Sequence, residues 1–149
     1  MIDSAVRLQE RPLRHRALVL VAEEHEPTFA VIRMLCEMEG ASVLRAMTAR
    51  AAIALARVGQ PDLILMDTCL ADGISTRAVR ALRNDASTRE IPIVAIDSPW
   101  GEARQVRYDG VLAKPMNPAD VLGILRRRLN GPSQPPGRCG RARTRPRPR

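Results

Sequence analysis

Residues 61–67, Pro-Asp-Leu-Ile-Leu-Met-Asp, carry the strongest indication of architecture in this chain. The apolar run between the two aspartates is typical of a strand that is buried on both faces. We place this strand over Asp62–Met66, so that it ends at Asp67. Strands of this kind belong to parallel sheets that are covered by helices on both sides.

The segments on either side repeat an alternation of strand and helix. Short apolar runs predict the strands, and apolar residues at helical spacing predict the helices between them. The other predicted strands are Ala17–Ala22, Ala41–Arg45, Ile91–Ile96 and Gly110–Ala113. The predicted helices start at Pro27, after Thr48, at Ser75, at Glu102 and at Pro118, and they end near Gly40, Gly59, Asn84, Tyr108 and Leu129. This alternation predicts an α/β fold with a doubly wound, five-stranded parallel sheet.

Charged residues follow the predicted strands at their carboxyl ends. They are Glu23-Glu24, Asp67, Asp97 (with Ser98 beside it) and Lys114. Because ligands of such sheets bind outside the carboxyl ends of the strands, we expect these residues to converge on one site. Four carboxylates facing one lysine should raise at least one carboxyl pKa, so we expect a divalent metal to stabilise the fold.

The positive charge of the chain is concentrated at its end. The 149 residues carry a net charge of +8, and residues 131–149 contain arginines, prolines and glycines but no acidic residue. Such a composition predicts disorder. We therefore expect a flexible lead-in over residues 1–16, one domain over residues 17–130 and a disordered Arg/Pro-rich tail over residues 131–149.

Several classes of function are disfavoured by composition and motifs. The cysteines are Cys36, Cys69 and Cys139, without a CxxC pair, so neither a disulfide framework nor a zinc site is expected. No GxGxxG or P-loop motif is present, so we expect no nucleotide cofactor. No apolar run is long enough to span a bilayer, and we expect no membrane partner and a cytoplasmic location.

The ordered set of motifs resembles the receiver domain of bacterial two-component response regulators. The resemblance rests on Glu23-Glu24 after the first strand, Asp67 after the third, Asp72-Gly73 in the next loop, Ile91-Pro92-Ile93-Val94 in the fourth strand and Lys114-Pro115 after the fifth. It covers about residues 16–129. It implies a flavodoxin-like receiver fold with five βα units and the strand order 2-1-3-4-5.

The resemblance also implies a function in phosphorelay signal transduction. Asp67 is expected to accept a phosphoryl group from a sensor histidine kinase or a phosphotransfer protein, and Lys114 is expected to pair with the phosphoryl oxygens. Mg²⁺ is the implied cofactor. Glu24 and Asp67 are expected to bind it directly, Cys69 through its backbone carbonyl and Glu23 through water.

Some residues depart from the pattern of this family. Glu24 is longer than the usual aspartate, and the loop after Asp67 is shorter than usual. Asp97 stands where the family has Thr or Ser, so either Ser98 substitutes for it or the phosphorylated state is disfavoured. The segment between Asp97 and Lys114 is short, which predicts a clipped fourth helix, and the fifth strand lacks the usual aromatic residue.

Three readings remain open from the sequence. The first is a single-domain response regulator that passes its signal to a downstream protein target. The second is a phosphorylation-independent pseudo-receiver that serves as a protein-binding module. The third adds a tether to nucleic acid through the basic tail, since clustered arginines bind phosphate backbones without sequence preference. We expect no enzyme beyond a phosphoacceptor that loses its own phosphoryl group.

Overall fold

The computed structural model describes residues 16–97 and 106–130. The strands in these residues are β1 (Leu18–Ala22), β2 (Ser42–Ala46), β3 (Leu63–Asp67), β4 (Cys69–Leu70), β5 (Gly73–Ile74), β6 (Ile93–Asp97) and β7 (Gly110–Ala113). The helices are α1 (Glu26–Met38), α2 (Ala49–Gly59), α3 (Thr76–Asn84) and α4 (Pro118–Leu129). The predicted lead-in and tail, including Cys139, lie outside the described residues, apart from Arg16.

Five strands form one parallel sheet in the order β2-β1-β3-β6-β7. Numbered along the chain within this sheet, that order is 2-1-3-4-5, so the predicted fold class is confirmed. One detail differs, because β4 and β5 form a separate antiparallel hairpin that the sequence did not predict. This hairpin occupies the loop between β3 and α3.

The sheet divides the hydrophobic core into two parts. On one face, Leu65 of β3 belongs to a cluster with Ile32 of α1 and Leu125 of α4. On the other face, Ile64 belongs to a cluster that contains Ala52 of α2 and Leu82 of α3. All residues of β3 are therefore buried, as its apolar run predicts. Burying each such side chain contributes about 1.5–3 kcal/mol relative to leaving it exposed.

Two of the helices are capped by a side chain at their start. The Thr48 side chain accepts a hydrogen bond from the backbone N–H of Ala51 at 3.0 Å and so caps α2. The Asn117 side chain accepts one from Ala119 at 2.9 Å ahead of α4, which has a proline at its start. Both caps satisfy a backbone donor that the first helical turn leaves unpaired.

Other boundaries differ from the prediction by one or two residues. Ser75 precedes α3 instead of beginning it, and its hydroxyl donates to the backbone carbonyl of Asp67 instead of accepting a hydrogen bond from an N–H of the helix. The fourth strand of the sheet starts at Ile93 instead of Ile91. Proline has no N–H to offer a ladder, and the Ile91 carbonyl accepts a hydrogen bond from Arg83 at 2.9 Å instead.

The connection between β6 and β7 is only partly described. The predicted helix from Glu102 to Tyr108 falls mostly within residues 98–105, which lie outside the described residues. Its described end, residues 106–108, is not helical. Arg83 ties this end to the sheet, since its guanidinium pairs at 2.6 Å with Asp109, whose carboxylate also accepts a hydrogen bond from the Ile93 N–H at 2.8 Å. Among the four described helices, none has the length and hydropathy needed to cross a membrane.

Candidate functional site

The carboxyl edge of the sheet brings together most of the residues that the sequence singles out. Asp67 ends β3 and Asp97 ends β6, while Glu23 directly follows β1 and Lys114 directly follows β7. The four strands are parallel neighbours, so their ends meet at one edge of the sheet. Of the four side chains, the three carboxylates belong to buried residues, and carboxylates are seldom buried unless they are paired.

Asp67 lies at the centre of this edge and is held from three sides. Its carboxylate forms an ion pair with the Lys114 ammonium and accepts a hydrogen bond from the Cys69 N–H at 2.8 Å. Its backbone carbonyl accepts the Ser75 hydroxyl. With its side chain only 5 % exposed, Asp67 is a buried carboxylate that is paired with the Lys114 ammonium.

Lys114 reaches Asp67 from a more open position. Its side chain is 39 % exposed, so the ammonium borders both the buried carboxylates and solvent. Partial burial acts to lower the pKa of Lys114. The hydrogen bond to Asp67 and the attraction of Asp67, Glu23 and Asp97 outweigh this effect, and the pKa of Lys114 is raised. Lys114 is therefore a permanent cation at neutral pH.

Glu23 is a buried carboxylate that is only partly satisfied. One oxygen accepts a hydrogen bond from the His25 N–H at 2.8 Å, while the other is buried without a hydrogen-bond partner in the part of the chain that the structure describes. Burial raises the pKa of Glu23, and the neighbouring Asp67 carboxylate raises it further against the opposing effects of His25 and Lys114. This is the raised carboxyl pKa that the excess of carboxylates at this edge predicts.

Glu24 lies apart from this buried pair. It is exposed, and its backbone carbonyl accepts a hydrogen bond from Arg45 at 3.0 Å. The structure thus brings Glu23 and Asp67 together and leaves the Glu24 side chain at the surface. Within residues 16–97 and 106–130, no three His, Cys, Asp or Glu side chains form a group that could hold a metal ion.

The donors at this edge nevertheless fit Mg²⁺. Mg²⁺ is usually bound through one or two carboxylates and keeps several of its waters, so it does not need a cage of protein ligands. The Glu23–Asp67 pair supplies two carboxylates, and one buried oxygen of Glu23 receives no hydrogen bond from the described residues. The chemistry of this pair therefore suits a hydrated divalent cation.

Asp97 is directed at a neighbour that the sequence analysis overlooked. The Thr68 hydroxyl donates to the Asp97 carboxylate at 2.6 Å, and both residues are buried. The carboxylate thus ends β6 and the hydroxyl directly follows the neighbouring β3, so the hydroxyl stands next to Asp67 in sequence and not after the fourth strand of the sheet. Ser98, the predicted alternative to Asp97, lies outside the described residues.

Tyr108 is a second residue near the site that sequence reasoning missed. It is half-buried in the connection that precedes β7, beside the core between the sheet and helices α2 and α3. Burial raises the pKa of Tyr108 to about 12, and the charges of Asp97 and Asp67 contribute. An aromatic side chain is therefore present near the acidic edge, but it lies before the fifth strand of the sheet and not within it, where the resemblance implies one.

The hairpin after β3 is fastened to a helix. The Asp72 carboxylate accepts hydrogen bonds from the backbone N–H groups of Ala49 at 2.8 Å and Arg50 at 3.1 Å, at the start of α2. These bonds lower the pKa of Asp72. Gly73 follows with φ of +118°, a conformation that side chains disfavour. The short loop around Cys69 is thus anchored at both ends.

A groove adjoins the site on the side of α1. Its volume is about 360 Å³, and its lining consists of Pro27, Thr28, Val31, Lys114, Pro115 and Met116. The exposed face of α1 continues this apolar surface, because Val31, Met34 and Met38 are 40 %, 52 % and 68 % exposed. A molecule in this groove touches Lys114, the cation that pairs with Asp67.

Comparisons with known proteins show the family of the chain. The family model of the response regulator receiver domain matches residues 19–126. The polar-differentiation response regulator DivK of Brucella ovis is 30 % identical over 105 residues, which cover 69 % of this chain and 85 % of DivK.

Solved structures are similar over the same region. The receiver domain of the sensor histidine kinase PA1611 from Pseudomonas aeruginosa has a TM-score of 0.71 and 25 % identity, and the match covers 78 % of this chain and 99 % of that domain. A magnesium ion is coordinated in its active-site cleft. The chemotaxis response regulator CheY4 of Vibrio cholerae has a TM-score of 0.69 and 24 % identity, covering 77 % of this chain and 100 % of CheY4, which shows the fold alone.

Proposed function

Because the chain belongs to the family of response regulator receiver domains, which are signalling proteins, we propose that it accepts a phosphoryl group on Asp67. The observation that carries this proposal is the buried Asp67 carboxylate, held by the ammonium of Lys114. We propose that the chain works as a response regulator receiver domain in phosphorelay signalling, with a sensor histidine kinase or phosphotransfer protein as donor.

The side chains at the carboxyl edge suit phosphoryl transfer. An oxygen of Asp67 forms a bond to phosphorus while the bond from phosphorus to the donor imidazole breaks, and the imidazole keeps that electron pair. Such a reaction needs alignment and neutralisation of charge more than covalent help from the protein. Lys114 supplies one positive charge, and the Cys69 N–H fixes one Asp67 oxygen so that the other is the nucleophile.

A second cation belongs to the proposal. Mg²⁺ supplies charge neutralisation and in-line orientation when it is bound. Glu23 and Asp67 are the carboxylates that would hold it, with the backbone carbonyl of Cys69 as a further ligand, whereas the exposed Glu24 side chain would have to turn inward to bind it. The buried, unpartnered oxygen of Glu23 supports this assignment.

The groove beside Lys114 supports a protein partner. A donor that brings a phosphohistidine to Asp67 also covers the surface around Lys114, where the apolar residues Val31 and Met116 lie. The same surface is available to a downstream target. We place this exchange in the cytoplasm, and the only catalysis that we propose is loss of the phosphoryl group from Asp67 to water.

Intact mass measurement tests the proposal. The full chain is incubated with a small-molecule phosphodonor and Mg²⁺, beside Asp67→Asn and the matched control Asp120→Asn on the exposed side of α4. We expect a species heavier by about 80 Da, one phosphoryl group, in the wild type and in Asp120→Asn. Asp67→Asn should lack it, and so should the wild type in EDTA. An adduct that persists in Asp67→Asn contradicts the assignment of the acceptor.

A second candidate is favoured by Asp97. This buried carboxylate borders the place that a phosphoryl group on Asp67 would enter, and like charges at about 4 Å repel by about 4 kcal/mol at an effective dielectric of 20. The alternative is a pseudo-receiver that binds its protein partner without phosphorylation, with the basic tail as a tether to nucleic acid. A folded wild type that forms no adduct under any of the above conditions favours this alternative.

A further inference from the structure

Arg45 contacts the acidic loop from the neighbouring strand. It lies in β2, where its register partner on β1 is Val21, two residues before Glu23. Its guanidinium donates to the backbone carbonyl of Glu23 at 3.2 Å and to that of Glu24 at 3.0 Å. One planar group therefore binds both residues of the acidic pair through the backbone.

Two further contacts hold the guanidinium itself. It forms an ion pair with Glu26 and lies over the ring of Phe29, 4.3 Å from the ring centroid. The Arg45 side chain is 22 % exposed, so it is packed along most of its length. The Phe29 ring and the Glu26 carboxylate both belong to α1, so these contacts restrict the guanidinium and make it a support for the loop.

The support has a consequence for the side chains of the loop. Fixing the carbonyls of two consecutive residues fixes the peptide planes between and after them, and with them the directions in which the side chains leave the backbone. The Glu23 carboxylate is then fixed a second time by the His25 N–H. Backbone and side chain are thus both restrained at the residue that contacts Asp67.

We propose that Arg45 is a positioning residue for the metal site and holds the Glu23–Glu24 backbone in the conformation that binds Mg²⁺. This inference rests on the proposed function, because it assigns a role toward the cation of that site. Partners that orient metal ligands typically change metal affinity 10- to 100-fold when they are removed. Arg45 acts indirectly, through the backbone carbonyls of the ligand residues, so we expect its removal to lower the Mg²⁺ affinity about 10-fold.

The sign of the effect separates positioning from charge. Arg45 is a cation near a cation site, so its charge alone opposes Mg²⁺ binding, and removing that charge should tighten binding. If Arg45 instead positions the ligand residues, its removal should weaken Mg²⁺ binding. Arg45→Lys keeps the charge but replaces the planar guanidinium by a single ammonium. The ammonium cannot donate to two carbonyls and pair with Glu26 in the same geometry. If the guanidinium positions the loop, both substitutions should therefore weaken Mg²⁺ binding.

Calorimetric titration with Mg²⁺ measures this directly. The proteins are the full-length wild type, Arg45→Met, Arg45→Lys and the control Arg57→Met, which removes an arginine of α2 whose partner is Asp85. We expect the dissociation constant to rise about 10-fold in Arg45→Met and several-fold in Arg45→Lys, with no change in Arg57→Met. Circular dichroism without Mg²⁺ checks that each variant is folded, and Arg45→Lys carries the test if Arg45→Met does not fold.

The outcomes are distinct for the two proposals. Equal or tighter binding by a folded Arg45 variant overturns the positioning role and leaves the proposed phosphoacceptor function in place. Failure of the wild type to bind Mg²⁺ overturns the metal part of the proposed function, and the role of Arg45 with it. Weakened binding in both Arg45 variants with an unchanged control supports the inference.

Discussion

Replacing Lys114 by methionine isolates the electrostatics of the acidic edge. The substitution keeps an unbranched side chain of similar length and removes the cation that pairs with Asp67. In a chain free of Mg²⁺, Asp67 and Glu23 then remain buried side by side without the Lys114 ammonium. We expect Lys114→Met to be less stable than the wild type at neutral pH.

The magnitude follows from the unequal burial of the pair. Breaking a fully buried ion pair costs about 3–5 kcal/mol, and an exposed pair is worth at most about 1 kcal/mol. Asp67 is 5 % exposed and Lys114 is 39 % exposed, so solvent screens one partner only. We expect a loss of about 2 kcal/mol in the free energy of unfolding, between these limits.

The loss should depend on pH in a defined direction. Burial and Asp67 raise the pKa of Glu23 in the folded state, so above its ordinary value of 4.5 the folded protein binds more protons than the unfolded one. Stability therefore falls as pH rises through that window. Lys114 opposes this rise in the pKa of Glu23, so the difference between variant and wild type should shrink as the pH falls toward 4.5.

Urea unfolding followed by circular dichroism measures both quantities. Wild type, Lys114→Met and the charge-preserving control Lys114→Arg are compared in EDTA at pH 7.5 and pH 5. The reasoning is refuted if Lys114→Met is as stable as the wild type at pH 7.5, or if its deficit grows as the pH is lowered.

Three other substitutions test neighbouring contacts. Glu23→Gln should raise the free energy of unfolding by about 1 kcal/mol at pH 7.5 in EDTA, because it removes a buried charge beside Asp67. It should also reduce the thermal stabilisation by Mg²⁺, measured as the shift in Tm against the wild type. Thr68→Val should cost about 1.5–3 kcal/mol in urea unfolding, since the buried Asp97 carboxylate loses a donor, while Thr68→Ser should be close to neutral. Asp72→Ala should cost about 0.5–1 kcal/mol by removing an acceptor at the start of α2. Because these bonds lower the pKa of Asp72, their contribution is present above 3.8 and should disappear as the pH falls below it.

Much of the fold could be predicted because its signals are local and repeated. The apolar runs that became β1, β3 and β6 have the length and composition of doubly buried strands, and strand ends in a parallel sheet meet at one edge. That reasoning places Asp67 and Lys114 together without knowledge of any contact. The hairpin of β4 and β5 escaped prediction because strands of two residues carry no periodicity.

The remaining features of the site depend on side-chain direction across strands. The sequence places Asp97 at the end of the fourth strand, where the structure has it. Its hydrogen bond with Thr68 depends on which neighbour the carboxylate reaches, and the local sequence does not determine that. From the sequence, Arg45 is an ordinary surface charge on an edge strand. Only the structure shows that it contacts Phe29 and the loop carbonyls. Tyr108 approaches the site through a connection whose path is set by tertiary packing.

The division of the core by the sheet has a consequence for protein engineering. Leu65 and Ile64 are adjacent in sequence but serve separate compartments, one under α1 and α4, the other under α2 and α3. Substitutions in different compartments that share no partner should have nearly additive effects on stability. Exposed residues of α1 can therefore be redesigned to bind a chosen partner. Any stability lost there can be restored by better packing under α3, on the opposite face of the sheet.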